Sequence, residues 1–212
     1  MSERDWRITV YDLGSDGRYS VPARTMTFVY AEQGKVSIGR NGSEQEIGTG
    51  DGLFAGPGTR IAGTANTWLF EVARSGTDIF AGNGVSPVIS RIATIGTGPY
   101  MVRADRVESA AGAQTPAHRH RGPGVRRLER GLLRAELGDN LDRIAAGGAW
   151  FETGQERVVG TNISGGVNVF IRVMLLPADL LGGKSSFIPI TKADAAKPRA
   201  VNLRLFGEHR LG

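Results

Sequence analysis

The chain has no cysteine. Disulfides, thiolate-held metals and thiol nucleophiles are thereby excluded. Histidine is scarce as well, with three residues in 212, so any imidazole chemistry must come from His118, His120 or His209. No run reaches the roughly 18 consecutive apolar residues of a membrane-spanning helix. The opening MSERDWRITV lacks the basic-then-apolar order of a secretion signal. The expectation is a soluble protein of the cytoplasm that engages no membrane. No glycine-rich phosphate loop, nucleophile elbow or zinc-finger spacing occurs either.

What is abundant is glycine, 31 residues, in a chain that is 40% hydrophobic and 22% charged. That composition supports a packed core rather than a disordered segment. Glycine is costly inside helices and useful in the tight turns between short strands, so the balance leans all-β. The net charge of +5 is uneven. Residues 1–95 hold nine Lys+Arg against ten Asp+Glu, which leaves 17 against 11 for residues 96–212. The excess is densest at Arg119, Arg121, Arg126, Arg127, Arg130 and Arg134. Aromatic residues are not interleaved with these arginines, as base stacking would want. The patch therefore reads as a solvated face or a small-anion pocket, and no nucleic-acid partner is expected.

The chain repeats itself. Pro22-Ala23 matches Pro116-Ala117 at an offset of 94, and Trp6–Tyr11 starts 94 residues before Tyr100–Val107. Glu32, Gly34, Ile47, Gly50, Phe54, Arg60 and Gly63 match Glu129, Gly131, Ile144, Gly147, Phe151, Arg157 and Gly160 at an offset of 97. The expectation is three extra residues in the second copy, between Ala117 and Glu129 and beside His118 and His120. Val36 and Ile38 alternate with polar neighbours, and Asn41-Gly42 is a two-residue hairpin signal. Trp68, Phe70 and Val72 alternate, as do Val167, Val169, Ile171, Val173 and Leu175. Short strands so spaced suit a sandwich or barrel. Ala178–Leu181 and Lys192–Ala196 carry brief helical signals. The expected division is residues 1–90 and 91–212, with a linker in Gly82–Gly98. A C-terminal tail follows in which Val201, Leu203 and Leu205 alternate; it is expected to pair with an exposed sheet edge. The first barrel is expected to be filled mainly by apolar side chains such as Phe28, Phe54 and Phe70, subject to their strand faces.

The second copy resembles a cupin. Gly112 is followed by five residues and then His118-Arg119-His120, within PAHRHRGPGVRRLERG, and GGAWFETGQERVVGTN has the shape of the second cupin motif. GTGDGLFAGPGTRIAGTAN in the first copy is similar to that second motif. The resemblance implies a bicupin of two tandem antiparallel β-barrels of double-stranded β-helix, or jelly-roll, type. It also implies a family habit of homodimerisation. Metal-binding cupins use two histidines and a glutamate of the first motif and a histidine of the second. Here the glutamate position falls on Gly124 and the later histidine on Arg157. In the first copy the histidine region falls on Arg24, so that barrel is expected to bind no metal and to be silent.

Residues two apart share a strand face, so His118 and His120 point to one side. The family frame turns Arg126 and Leu128 the same way and brings Arg157 from the opposite strand. Two readings follow. His118 and His120 could hold a divalent iron, manganese, nickel or zinc ion, weakly and with water completing the shell. Alternatively, His118, His120, Arg126 and Arg157 bind a small anionic molecule, because the arginine fork matches carboxylate or phosphate. Arg126 could equally lie on the outer face. His209, in a polar tail, reads as solvated. The function classes left open are a metal-dependent cupin enzyme (dioxygenase, isomerase or lyase), a ligand-binding protein or sensor, and a structural protein.

Overall fold

The computed structural model describes residues 4–212, and the alternation seen in the sequence becomes 19 short strands there. The chain divides into two compact units, Arg4–Thr94 and Ile95–Gly212. In the first unit the strands are β1 (Arg4–Leu13), β2 (Arg18–Ser20), β3 (Met26–Ala31), β4 (Lys35–Arg40), β5 (Ser43–Gly48), β6 (Gly52–Ala55), β7 (Arg60–Gly63), β8 (Thr67–Arg74) and β9 (Val85–Ile95). In the second they are β10 (Tyr100–Ser109), β11 (His118–His120), β12 (Gly124–Arg130), β13 (Leu132–Leu137), β14 (Asn140–Ala145), β15 (Ala149–Glu152), β16 (Val158–Asn162), β17 (Asn168–Pro177), β18 (Phe187–Pro189) and β19 (Asn202–Arg210). The two helical signals become a 3-10 turn at Ala178–Leu180 and the single-turn α1 at Lys192–Ala195. Thr191 caps α1 by accepting a hydrogen bond from Asp194 N. Among the described residues no helix is long and apolar enough to cross a membrane.

The same sheet plan occurs twice. The first unit pairs its strands in the order β6-β3-β8-β1-β9 and β2-β7-β4-β5, and the second in the order β15-β12-β17-β10-β19 and β14-β13-β16-β11-β18. Each strand of one unit has its counterpart in the other, with β18 added to the second. Turn contacts repeat as well: Gly50 N donates to Ala31 O at 2.8 Å, and Gly147 N donates to Leu128 O at 2.7 Å. The repeat therefore extends further than the sequence suggested. Gly82–Gly98 is not a loose linker, because its β-branched run Val85–Ile95 forms the edge strand β9. The C-terminal tail is its counterpart: β19 pairs with β10 from Met101↔Arg210 to Glu108↔Asn202. Each barrel thus ends on a strand that returns to lie beside its first. Asn41-Gly42 makes the hairpin between β4 and β5, with positive φ at both residues.

The expected filling of the first barrel is corrected. Its core is built from Tyr11, Tyr19, Val29, Val36, Ile61 and Leu69 with their neighbours, while Phe28, Phe54 and Phe70 are not in that cluster. Phe28 pairs with Phe54 and with Phe70, in register one residue away from Val29 and Leu69. Alternation therefore puts the three phenylalanines on the other face of the sheet, where they pack together. The interior also holds charge. Glu71, 1% exposed, accepts a hydrogen bond from Tyr11 Oη at 3.2 Å and another from Tyr19 Oη, and Arg7 Nη2 lies 3.6 Å away. Burial, together with the Glu71 charge, pushes the Tyr11 phenol up to about 12. Tyr19 packs edge-on to Phe80, 5.6 Å between centroids, which helps to fill that end of the barrel.

Gly131, between β12 and β13, has φ +101°, and a Cβ placed there would lie 1.7 Å from Asn168 Oδ1. That oxygen accepts from Leu132 N at 2.9 Å, and Asn168 Nδ2 donates to Leu132 O at 3.1 Å. Gly131→Ala should cost about 2–4 kcal/mol, from backbone strain plus the broken side-chain clasp. Gly42→Ala, where no atom crowds the added carbon, should cost only about 1 kcal/mol for its positive φ. Urea denaturation of the two variants checks the contrast.

Candidate functional site

The second barrel encloses a cavity of about 310 Å³, and its polar side chains come from an ordered set of strand positions. The matched turns fix the correspondence between the two large sheets. One inward row in the first barrel is Leu53, Val29, Leu69 and Tyr11, read across β6, β3, β8 and β1. The same row in the second barrel is Trp150, Arg126, Arg172 and Asp105. One row further, Ala55 is replaced by Glu152. Where the first barrel is packed by apolar and tyrosyl side chains, the second carries two arginines and two carboxylates around an open space.

The charges are compensated in pairs. Arg172 Nε and Nη2 donate to the two oxygens of Asp105 at 2.8 and 2.7 Å, a bidentate fork. Burial works against the Arg172 cation, but the Asp105 carboxylate outweighs it and holds the guanidinium above its ordinary value. Arg126, 1% exposed, has Nη2 2.6 Å from Glu152 Oε2 and donates through Nη1 to Gly124 O at 2.6 Å. Burial brings the Arg126 guanidinium down to about 10, which leaves it charged at neutral pH. The Arg126–Glu152 contact is close but misaligned, and neither Nη2 nor Oε2 makes a directed hydrogen bond. The carboxylate is steadied from its other side by Trp150 Nε1, which donates to Oε1 at 3.0 Å.

His118 and His120 stand on β11, both buried, with ring centroids 4.9 Å apart. His118 Nδ1 lies 2.8 Å from Pro116 O. A carbonyl only accepts, so Nδ1 carries the proton and Nε2 of the neutral ring keeps its lone pair. His120 Nδ1 is 3.2 Å from Ser186 Oγ, and its Nε2 is 3.6 Å from Glu152 Oε2. Burial holds both imidazoles below their ordinary pKa, His120 far below, and the Arg172 and Arg126 cations add to the effect on His120, with a smaller contribution from Arg199. At neutral pH the pair is uncharged.

The remaining wall comes from the segment between β17 and β19. It runs for 24 residues, 178–201, where the first barrel has ten, 75–84. Its strand β18 adds to β11, pairing Phe187 with His120 and Pro189 with His118. The Phe187 ring stacks on His118 at 4.3 Å and 16°, and the Arg199 guanidinium lies 4.5 Å from the Phe187 ring centre on β18. The segment is pinned at its base by Arg103, which binds Glu208 at 2.7 Å, Lys184 O at 2.8 Å and Leu180 O at 2.5 Å. Leu203 and Leu205 of β19 complete an apolar side with Val107, Leu133, Trp150 and Phe170.

Of the residues singled out in the sequence, the structure brings together His118, His120 and Arg126. Arg126 is on the inner face. Leu128 is also inward, in the cluster with Leu133 and Trp150. Arg157 is a correction. It is exposed and pairs with Glu136 at 3.2 Å, while its neighbour Val158 faces the cavity opposite His118. The expected frame was one residue off, and a one-residue slip turns a strand side chain to the opposite face. The position of the extra residues is corrected too. They precede β11, in the connection from β10, whereas Pro22 follows β2 and so is not the counterpart of Pro116. The strand in the place of the histidines is β2, with Tyr19 inward, and Arg24 lies outside it. Glu152, Arg172, Asp105 and Arg199 were not anticipated. A sequence signal existed for two of them. Trp150 and Glu152 flank Phe151 on one strand face, and Arg172 is a lone charge within a ten-residue strand apolar on both faces.

The fit to a divalent metal is poor. Among the described residues no group of three or more His, Asp or Glu side chains is arranged to hold an ion. A glutamate cannot occupy position 124, because a Cβ there would lie 2.5 Å from Val173 O. Glu152, the cross-strand partner of Gly124, supplies a carboxylate but spends it on Arg126. His118 and His120 remain a pair with fixed cations beside them, which opposes a divalent charge.

Removing one member of the buried pair should be worse than removing both. Arg126→Met should destabilise by about 3–5 kcal/mol and Arg126→Met with Glu152→Met by much less, as read from chemical denaturation. The histidines set a pH dependence. The unfolded chain takes up protons near pH 6.5, while the folded imidazoles resist. Stability is therefore full above that pH and falls as pH drops toward the depressed folded values, by up to about 1.4 kcal/mol per pH unit per histidine. His118→Gln with His120→Gln should flatten the slope between pH 6.5 and 5, measured by thermal unfolding across pH.

No protein-family profile matches the chain, and no curated protein sequence does. Solved structures do. AerE from Microcystis aeruginosa superposes with a TM-score of 0.57 at 11% identity, over 81% of this chain and 87% of that one. A cupin 2 conserved barrel domain protein from Leptotrichia buccalis gives 0.52 at 11%, over 81% and 84%. A single-substitution mutant of Bacillus subtilis oxalate decarboxylase gives 0.59 at 12%, over 93% and 74%. At such identities the likeness is one of fold, and it establishes the antiparallel cupin-type jelly roll.

Proposed function

We propose that the chain is a bicupin whose C-terminal barrel binds a small organic anion. One observation carries this reading. At matched inward positions the first barrel is filled by Leu53, Val29, Leu69 and Tyr11, whereas the second presents Trp150, Arg126, Arg172 and Asp105 around a cavity. Its volume of about 310 Å³ is at the small end of the roughly 300–1,000 Å³ of ligand sites. Four arginines line it, Arg103, Arg126, Arg172 and Arg199; Glu208, Glu152 and Asp105 answer the first three, and the positive charge left over favours a negative occupant. His118, His120 and Arg126 supply the polar floor. His118 Nε2 keeps a lone pair that can accept from a ligand, and the misaligned Arg126–Glu152 contact leaves a donor and an acceptor that a bound polar group can satisfy.

The test is thermal stabilisation by a panel of small carboxylates and size-matched neutral molecules, with mass spectrometry of whatever the purified protein releases on denaturation. Carboxylates should raise the unfolding temperature of the wild type. Ala135→Phe, which fills the cavity from β13, should fold but not respond. Stabilisation by neutral molecules alone, or an undiminished response in Ala135→Phe, would remove the reading.

A further inference from the structure

Four arginines reach the cavity, and three are already answered. Arg172 is closed by the Asp105 fork. Arg126 is held at 2.6 Å by Glu152, and a ligand carboxylate placed there would crowd a second anion onto one guanidinium. Arg103 is occupied by Glu208 and two carbonyl oxygens. Arg199 differs. Among the described residues its side chain makes one hydrogen bond, from Nη1 to the uncharged Ser185 Oγ at 2.9 Å, and no ion pair. It is also held in place, with its guanidinium against the Phe187 ring, which in turn stacks on His118. A cation so stacked keeps its charge and loses part of its freedom before any ligand arrives. The column Arg199–Phe187–His118 runs from a solvated cation to a neutral imidazole, beside the apolar wall of Val107, Leu133, Trp150, Phe170, Leu203 and Leu205.

We infer that Arg199 is the residue that selects for negative charge, so the ligand is an amphipathic organic anion lying with its carboxylate at the mouth and its apolar body within the barrel. This rests on the proposed binding role of the second barrel and adds the ligand's class and orientation. It assigns specificity to the segment that the second barrel has and the first lacks. The buried arginines then organise the floor, and the carboxylate itself is met by Arg199.

The experiment is calorimetric titration with octanoate and 2-naphthoate and with their neutral amides, on wild type, Arg199→Gln and Arg199→Lys. Wild type should prefer each acid to its amide by roughly three- to tenfold, the range of an accessible charge-assisted contact. Arg199→Gln should erase the preference while amide affinity holds, and Arg199→Lys should keep most of it. The preference should shrink between about 0.05 and 0.5 M salt, since Arg199 is exposed. An acid preference that survives Arg199→Gln would overturn the assignment and leave the binding role standing. An equal loss for acid and amide would also overturn it, by showing that Arg199 holds the segment and not the ligand. Failure of every acid and amide to bind wild type would bring down the binding role and this inference together.

Discussion

Burying charge inside a small barrel is permitted only in matched sets, and the second barrel is organised around that constraint. An unpaired guanidinium or carboxylate out of water is severely penalised. Arg172 therefore comes with Asp105 from the neighbouring strand, and Arg126 with Glu152. The pairs need strand registers that put them side by side, so the ladder of β15, β12, β17 and β10 fixes both the electrostatics and the shape. Gly124 shows how tight that ladder is. With Val173 O so close, no side chain fits there, and the carboxylate arrives instead from across the strand at Glu152. The first barrel meets the same constraint at Glu71, which it satisfies with two tyrosine hydroxyls and Arg7. That arrangement fills the interior, whereas the paired charges of the second leave room beside them.

The fold was legible because its signals are local and repeated. Alternating apolar residues, the Asn41-Gly42 turn and the 97-residue spacing of Gly34, Gly50 and Phe54 to their partners each specify strands and corners without knowledge of distant contacts. The site was legible only in part. His118 and His120 sit two apart on one strand, so their convergence follows from the pleat alone. Arg157 is misplaced because its facing rests on laying the family's second-motif histidine position onto this sequence, and a single residue of slippage reverses it. Phe28, Phe54 and Phe70 were assigned to the wrong face for a related reason: strands buried on both sides carry no polar face to mark which side is the barrel interior. Asp105 and Arg199 depend on cross-strand pairing and on a long connection, neither of which a linear pattern records.

The difference between the copies is thus concentrated in a handful of inward positions and two connections, a short extension before β11 and a long one after β17. Replacing Val29, Leu69 and Leu53 by Arg126, Arg172 and Trp150 changes the interior without altering strand order. Lengthening the connection after β17 brings Ser186, Phe187 and Arg199 over the histidines. The scaffold remains constant while the chemistry changes, which agrees with the general separation of fold from function.

The edge strands β9 and β19 have a consequence for the order of assembly. Each barrel is completed by a strand that arrives last in its own copy and pairs with the first, as Met101 does with Arg210. Such long sequence separations slow closure, because the intervening chain must be drawn together before the contact rewards it. During synthesis the N-terminal barrel can shut as soon as β9 has emerged. The C-terminal barrel must wait for β19, and until then Arg103 lacks its Glu208 partner. A nascent chain halted after β17 would carry a finished first barrel and a second with an open edge, the kind of intermediate on which chaperones act.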